Sequence, residues 1–221
     1  MAANEILTKT GRLVCILLLS AALPAFCAKN DKEAVRWLDR LAEAYEKSGG
    51  VEAAFTVEIR DNAAPGQVES FSGEIKMQGK KFYIDTPDMR TWFDGKTQWA
   101  MLKSVNEVNI SEPAEEELQA VNPYVLLQLY KSGYTCNFAK GSASGAPVIE
   151  LVPEVKENTL EKIVVTVAAD RLYPSSVELI NKNGTSNLIR ITKYRPGMNY
   201  KDEQFVFDKK DCPGADLIDL R

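Results

Sequence analysis

The most regular part of the chain is the stretch from Ser70 to Leu102. Phe71, Gly73, Ile75 and Met77 alternate with Ser72, Glu74, Lys76 and Gln78, a period of two that predicts a strand with one apolar and one wet face. Gly79-Lys80 turns the chain, Phe82 and Ile84 resume the apolar face, and Thr86-Pro87-Asp88 turns it again. Trp92 precedes Asp94-Gly95, a strong hairpin signal, and Trp99 and Met101 continue the pattern. Ahead of this meander, Val51 to Arg60 alternates in the same way, with Ala53, Phe55, Val57 and Ile59 on one side. The expectation is a curved antiparallel sheet whose greasy face has to cover something.

Helical spacing appears in two places. In Asn30 to Ser48, Ala34, Trp37, Leu38, Leu41 and Tyr45 recur every three or four residues, Asn30 with Glu33 resembles a capping box, and Gly49-Gly50 ends the run. After a strand over Val105 to Ile110, Glu112 to Leu118 predicts a short helix with acids in its first turn. Asn122-Pro123 then starts a second one, with Asn122 as cap and Pro123 at the first helical position. Its residues Tyr124, Val125, Leu126, Leu127, Leu129 and Tyr130 are apolar on nearly every side, which predicts a plug or lid over an open sheet. Strands resume at Tyr134 to Ala139, Val148 to Val152 and Lys162 to Ala168, where Ile163, Val165 and Val167 share a face. A hairpin follows over Tyr173 to Ile180 and Asn187 to Tyr194, turning at Asn183-Gly184, and Phe205 with Phe207 predict a last short strand. The sum is α+β: an unclosed antiparallel half-barrel with helices covering its open concave face.

Composition narrows the chemistry. The 221 residues contain no histidine, which removes serine–histidine and cysteine–histidine catalysis and histidine-bound zinc together. No motif supports lysine or carboxylate chemistry, so the chain reads as a non-enzyme without a cofactor or metal. A formal charge of −4 offers no broad basic field for nucleic acid. At the N-terminus, Lys9 and Arg12 precede an apolar run from Leu13 to Leu23 and a small-residue region ending near Ala28, the layout of a signal peptide. Residues 1–28 are therefore read as a signal peptide and 29–221 as one domain exported to the periplasm. Cleavage before Cys27 with lipid attached to its thiol is the rival, and bulky Phe26 argues against it. Cys136 and Cys212 remain in the exported part, where they are either joined in a disulfide or two separate thiols.

The order of these pieces resembles a family. An N-terminal helix precedes Ala53-Ala-Phe-Thr-Val, Gly73-Glu-Ile-Lys and Phe82-Tyr-Ile-Asp-Thr-Pro. Phe93-Asp-Gly-Lys-Thr-Gln-Trp99, Asn122-Pro-Tyr-Val-Leu-Leu and Phe205-Val-Phe-Asp come next, and the whole is similar to the LolA-type periplasmic lipoprotein carriers, in the form found in the Bacteroidetes lineage. The resemblance implies a monomeric carrier that takes acylated lipoproteins or other lipids from an inner-membrane ABC exporter to an outer-membrane acceptor. It implies an apolar cavity and lid drawn from Phe55, Val57, Ile59, Phe71, Ile75, Met77, Phe82, Ile84, Trp92, Trp99, Met101, Val125, Leu126, Leu129, Ile163 and Val165. The better-known carriers have a Lys-Arg-Pro turn whose arginine pins the lid; Met77-Gln-Gly-Lys-Lys-Phe82 lacks it, so that lock does not carry over. A lipid-binding or envelope-stress sensor on the same fold is the alternative role.

Overall fold

The computed structural model describes residues 30–64, 66–114, 118, 128–140, 142, 146–155 and 157–221, with only the backbone of Leu129. Helix α1, Lys32–Lys47, turns Ala34, Leu38, Leu41, Ala42 and Tyr45 to the interior, the stripe its spacing predicts. Its cap is one residue later than predicted. Asp31 Oδ1 accepts from the backbone N–H of Glu33 at 2.8 Å and of Ala34 at 3.3 Å. Asn30 is drawn elsewhere: its Oδ1 accepts from the N–H of Cys136 at 2.8 Å, while Asp31 N–H donates to the Cys136 carbonyl at 2.8 Å. The free backbone groups of a strand edge outcompete the helix start for that side chain.

Among the described residues twelve strands form one sheet. They are β1 (Val51–Asp61), β2 (Val68–Gln78), β3 (Lys81–Asp85), β4 (Met89–Phe93), β5 (Gln98–Leu102), β6 (Glu107–Ser111), β7 (Tyr134–Phe138), β8 (Val148–Pro153), β9 (Leu160–Ala168), β10 (Tyr173–Asn181), β11 (Thr185–Pro196) and β12 (Asp216–Asp219). Their spatial order is β12-β6-β5-β4-β3-β2-β1-β11-β10-β9-β8-β7, antiparallel except where β12 lies parallel to β6. Two meanders, β1 to β6 and β7 to β11, are joined along β1 and β11. The end strands of the sheet, β12 and β7, do not pair with each other, so the half-barrel stays unclosed, as the alternation predicted. The helix enters β1 through Gly49 and Gly50, and a Cβ on Gly50 would lie 2.8 Å from the Met198 carbonyl oxygen, so glycine is required where these backbones meet.

The register corrects which residues share a face. Cross-strand partners point to the same side of a sheet. Phe82 faces Met77 and Phe93, and Ile84 faces Ile75 and Thr91, all on the side of α1. Tyr83 faces Lys76 and Trp92, Trp92 faces Trp99, and Met101 faces Val108. Trp92, Trp99 and Met101 therefore lie on the opposite, convex side, not on the apolar face predicted for them. The paired numbers sum to odd values across β3–β4 and β4–β5, so the inward positions change from even to odd and back at each turn. Alternation read straight through the turns loses that phase.

What buries the convex side is the C-terminal tail. Trp92, Met101, Val108 and Cys212 form a cluster with Tyr83, Trp99, Phe207 and Ala215. Phe207 meets Trp92 edge-on at 5.3 Å between ring centres, and Lys81 Nζ pairs with Asp202 at 2.7 Å. The predicted strand at Phe205 and Phe207 is instead a 3-10 turn, Asp202–Phe205, followed by extended chain; the last strand is β12. Phe205 is fully buried against Tyr200, so the two rings, though two residues apart, answer to different neighbours and not to a pleat.

Two substitutions separate these contributions. Phe82→Ala, which empties a fully buried ring site, is expected to lower unfolding free energy by about 3–5 kcal/mol in urea titrations. Asp31→Ala is expected to cost about 1 kcal/mol through the lost cap.

Candidate apolar cavity

Two separately packed cores meet under α1. Ala34, Leu38 and Leu41 from the helix join Cys136, Ile149, Leu151, Ile163, Val165 and Val167. Tyr45, one turn further on, belongs with Val51, Ala53, Ile75, Met77, Phe82 and Phe93. Between the two lies a cavity of about 180 Å³. Its roof is Leu38, Leu41 and Tyr45 from α1; Ala53, Phe55, Ile75, Met77 and Ile84 wall it on one side. Leu151, Ile163, Val165 and the β10–β11 residues Val177, Ile189, Ile191 and Tyr194 wall the other, with Leu172 and Pro174 at the start of β10. Among the described residues no charged side chain lines it.

The polar atoms that approach are held away or kept neutral. Tyr45 donates its hydroxyl to the Gly79 carbonyl at 2.8 Å. Burial pushes the Tyr194 phenol up to about 12, with Tyr173 beside it adding to the shift; the rings stack at 4.4 Å. Leu172 holds a left-handed backbone at φ +52 in the β9–β10 turn, an uncommon state for a bulky residue, and still lines the cavity. Gly73 matters for a second reason. The Phe55 ring lies across it, 2.5 Å from where a Cβ would stand, so any side chain at position 73 displaces that wall.

Six residues predicted for the site line this space: Phe55, Ile75, Met77, Ile84, Ile163 and Val165. Val57, buried, and Ile59 and Phe71, half-buried, lie further along the same face. Phe82 packs on Phe93 at 5.2 Å, and Trp92, Trp99 and Met101 are on the far side of the sheet. The predicted lid helix at Asn122, with Val125 and Leu126, lies outside the described residues. Leu129 opens a short 3-10 turn, Leu129–Lys131. The flanks of that segment are tied down: Leu118 packs against the second core, and Tyr130 donates to Asp39 Oδ1 of α1 at 2.6 Å. Sequence reasoning passed over Val177, Ile189 and Ile191, although Ile189 and Ile191 alternate with Arg190 and Thr192 just as the meander does. Of the two alternatives for the cysteines, the structure holds separate thiols, Cys136 on β7 in the first core and Cys212 in the convex cluster.

Among the described residues, an open antiparallel half-barrel with α1 laid over a cavity of mainly apolar walls defines a fold built around a greasy space. Residues 23–183 match the family model described as outer membrane lipoprotein carrier protein LolA, and the chain belongs to that family. No curated protein matches the sequence. Among solved structures, an uncharacterized conserved protein from Thermus thermophilus is similar in fold, with TM-score 0.54 at 13% identity over 85% of this chain and 99% of that one. A LolA superfamily protein from Nitrosomonas europaea aligns with TM-score 0.45 at 10% identity, over 79% of this chain and 97% of that one.

The thiols give a direct check. Burial pushes the Cys136 thiol up to about 11, the Glu154 charge adding to it, and burial also raises Cys212. The reactive thiolate is scarce below the raised value, so at pH 8 both should resist alkylation while folded. Residues 29–221, unfolded without reductant, should then take up two alkyl groups by mass; uptake of none until a reductant is added would show a disulfide.

Proposed function

We propose that this chain is a periplasmic carrier that shelters the acyl chains of lipoproteins in the cavity under α1. The observation that carries the reading is a cavity with no charged lining among the described residues, in a member of the LolA family. Among the described residues nothing packs into the 180 Å³ between these walls. An apolar guest supplies contacts there, and each methylene it withdraws from water contributes about 0.8 kcal/mol.

The walls also state what kind of guest suits them. With no charge among the described lining residues, a head group or carboxylate stays at the rim while its tail goes in. The two cores are packed independently, so separating them widens the space without breaking either. Among the described residues no helix is long and apolar enough to cross a membrane, and no group of three or more His, Cys, Asp or Glu is placed to hold a metal ion. Apolar walls of this kind suit the binding and release of a greasy chain. By family likeness the cargo comes from an inner-membrane ABC exporter and goes to an outer-membrane acceptor.

Filling the cavity tests the reading. Ala53→Trp places a ring in the void from a wall position. It is expected to weaken binding of a fluorescent fatty acid by about tenfold or more, an affinity change of about 1.4 kcal/mol, with the circular dichroism spectrum unchanged. Unchanged affinity in the folded variant would place the binding site elsewhere and contradict the proposal.

A further inference from the structure

One strand edge is left open beside the cavity. β2 pairs with β1 along Val68 to Met77, but its ladder to β3 begins only at Glu74. Gly79-Lys80 is a two-residue turn with Gly79 at φ +57, so Gln78 and Lys81 close the hairpin as a hydrogen-bonded pair. Gln78, Lys76 and Glu74 then direct their backbone groups toward β3, and by the same period Ser72 and Ser70 direct theirs to that side. Among the described residues no strand lies there, and Val68 is 51% exposed.

β12 covers β6, and Asn30 and Asp31 cover the middle of β7, while the outer edge of β12 itself, Asp216–Asp219, carries two aspartates. Over Val68 to Gly73 the β2 edge has no proline, lysine or arginine, and Glu69 is its one charged side chain. A shallow cleft of about 390 Å³ meets its Ser72–Gly73 end, lined also by Phe55, Glu74, Asp85, Pro87 and Lys103. Phe55 lines the apolar cavity as well, so one ring is the shared wall between cavity and cleft. Asp85 is already engaged by Lys103 and Arg90, whereas Glu74 in the cleft and Glu69 on the edge have no ion-pair partner among the described residues.

We propose that the Val68–Gly73 edge of β2 is a strand-addition site for an extended polypeptide bearing basic side chains, namely the stretch that follows the acylated end of the cargo. Main-chain hydrogen bonds to Ser70 and Ser72 give the affinity, and the two carboxylates of Glu69 and Glu74 select the charge. The assignment to cargo rests on the carrier reading, because Phe55 lines both the cavity that takes the acyl group and the cleft beside this edge. A second copy of the protein suits the edge poorly: its own Val68–Glu74 carries two glutamates and no cation to answer Glu69 and Glu74.

The probes are the peptide Lys-Thr-Val-Thr-Val-Lys, the same peptide with an N-terminal palmitoyl group, and free palmitate. The variants are Ser72→Pro, whose lost N–H faces the open side, and Glu74→Lys. The palmitoyl peptide should bind about tenfold or more tighter than palmitate, and Ser72→Pro should abolish that gain while leaving palmitate binding unchanged. Glu74→Lys should weaken the palmitoyl peptide about threefold and favour a version with glutamate in place of lysine. The unmodified peptide should slow amide exchange at 68–73 in the wild type alone. If it does so while palmitate fails to bind, the edge stands and the carrier reading falls. Equal binding of the palmitoyl peptide to wild type and folded Ser72→Pro overturns the proposal. So does a dimer in sedimentation that Ser72→Pro dissolves, since the edge would then serve self-association.

Discussion

The described residues are arranged around helix α1, fastened at both ends across a groove. At its start, Asn30 and Asp31 bond the backbone of Cys136 on β7; near its end, the Tyr45 hydroxyl bonds the Gly79 carbonyl at the β2–β3 turn. The helix of 16 residues spans about 24 Å between those anchors. It contributes Leu38 and Leu41 to one core and Tyr45 to another, and cannot sink between them without giving up one anchorage. The space left beneath it is a consequence of that geometry. In a protein interior that is otherwise close-packed, a void kept open by the backbone itself has a use.

The sheet makes the arrangement possible by being two meanders hinged on one pair of strands. β1 and β11 pair along the whole of β1, with an irregularity at Ala54/Phe55, and Phe55, the wall common to cavity and cleft, is at that irregularity. On one side of β1 the strands β3 to β6, five residues each, carry Trp92, Trp99 and Met101 on their convex face, and these large side chains need cover. The tail answers this by packing Phe207, Cys212 and Ala215 on the convex face and adding β12 to the edge. That half is therefore cored on both faces, and its inner face is free to line a cavity and not to provide all of the stability.

Much of this was legible in the residues. Alternation placed the strands, and the run from Ala34 to Tyr45 placed the helix and its buried side, because a period of two or of three to four survives whatever the chain later packs against. Six cavity-lining residues, Phe55, Ile75, Met77, Ile84, Ile163 and Val165, came from the same pattern. What could not be read was anything that depends on a partner distant in sequence. Trp92, Trp99 and Met101 look like continuation of the inner face until the register is known, and they turn out to sit under the C-terminal tail, with Phe207 and Cys212. The β10–β11 wall was missed for a related reason: its alternation is visible, but which of its faces meets β1 is decided by the closing of the two meanders. Leu172 entered the cavity through a left-handed turn that its residue type gives no hint of.

The central claim is that the space under α1 is held for acyl chains. Native mass spectrometry of the protein purified from its own envelope, without detergent, tests it most directly. Adducts with the masses of acyl-bearing species are expected, and they should be lost when Ala53→Trp fills the cavity. A spectrum showing only the bare polypeptide, from protein that also gains no mass when mixed with solubilised lipoprotein, would contradict it.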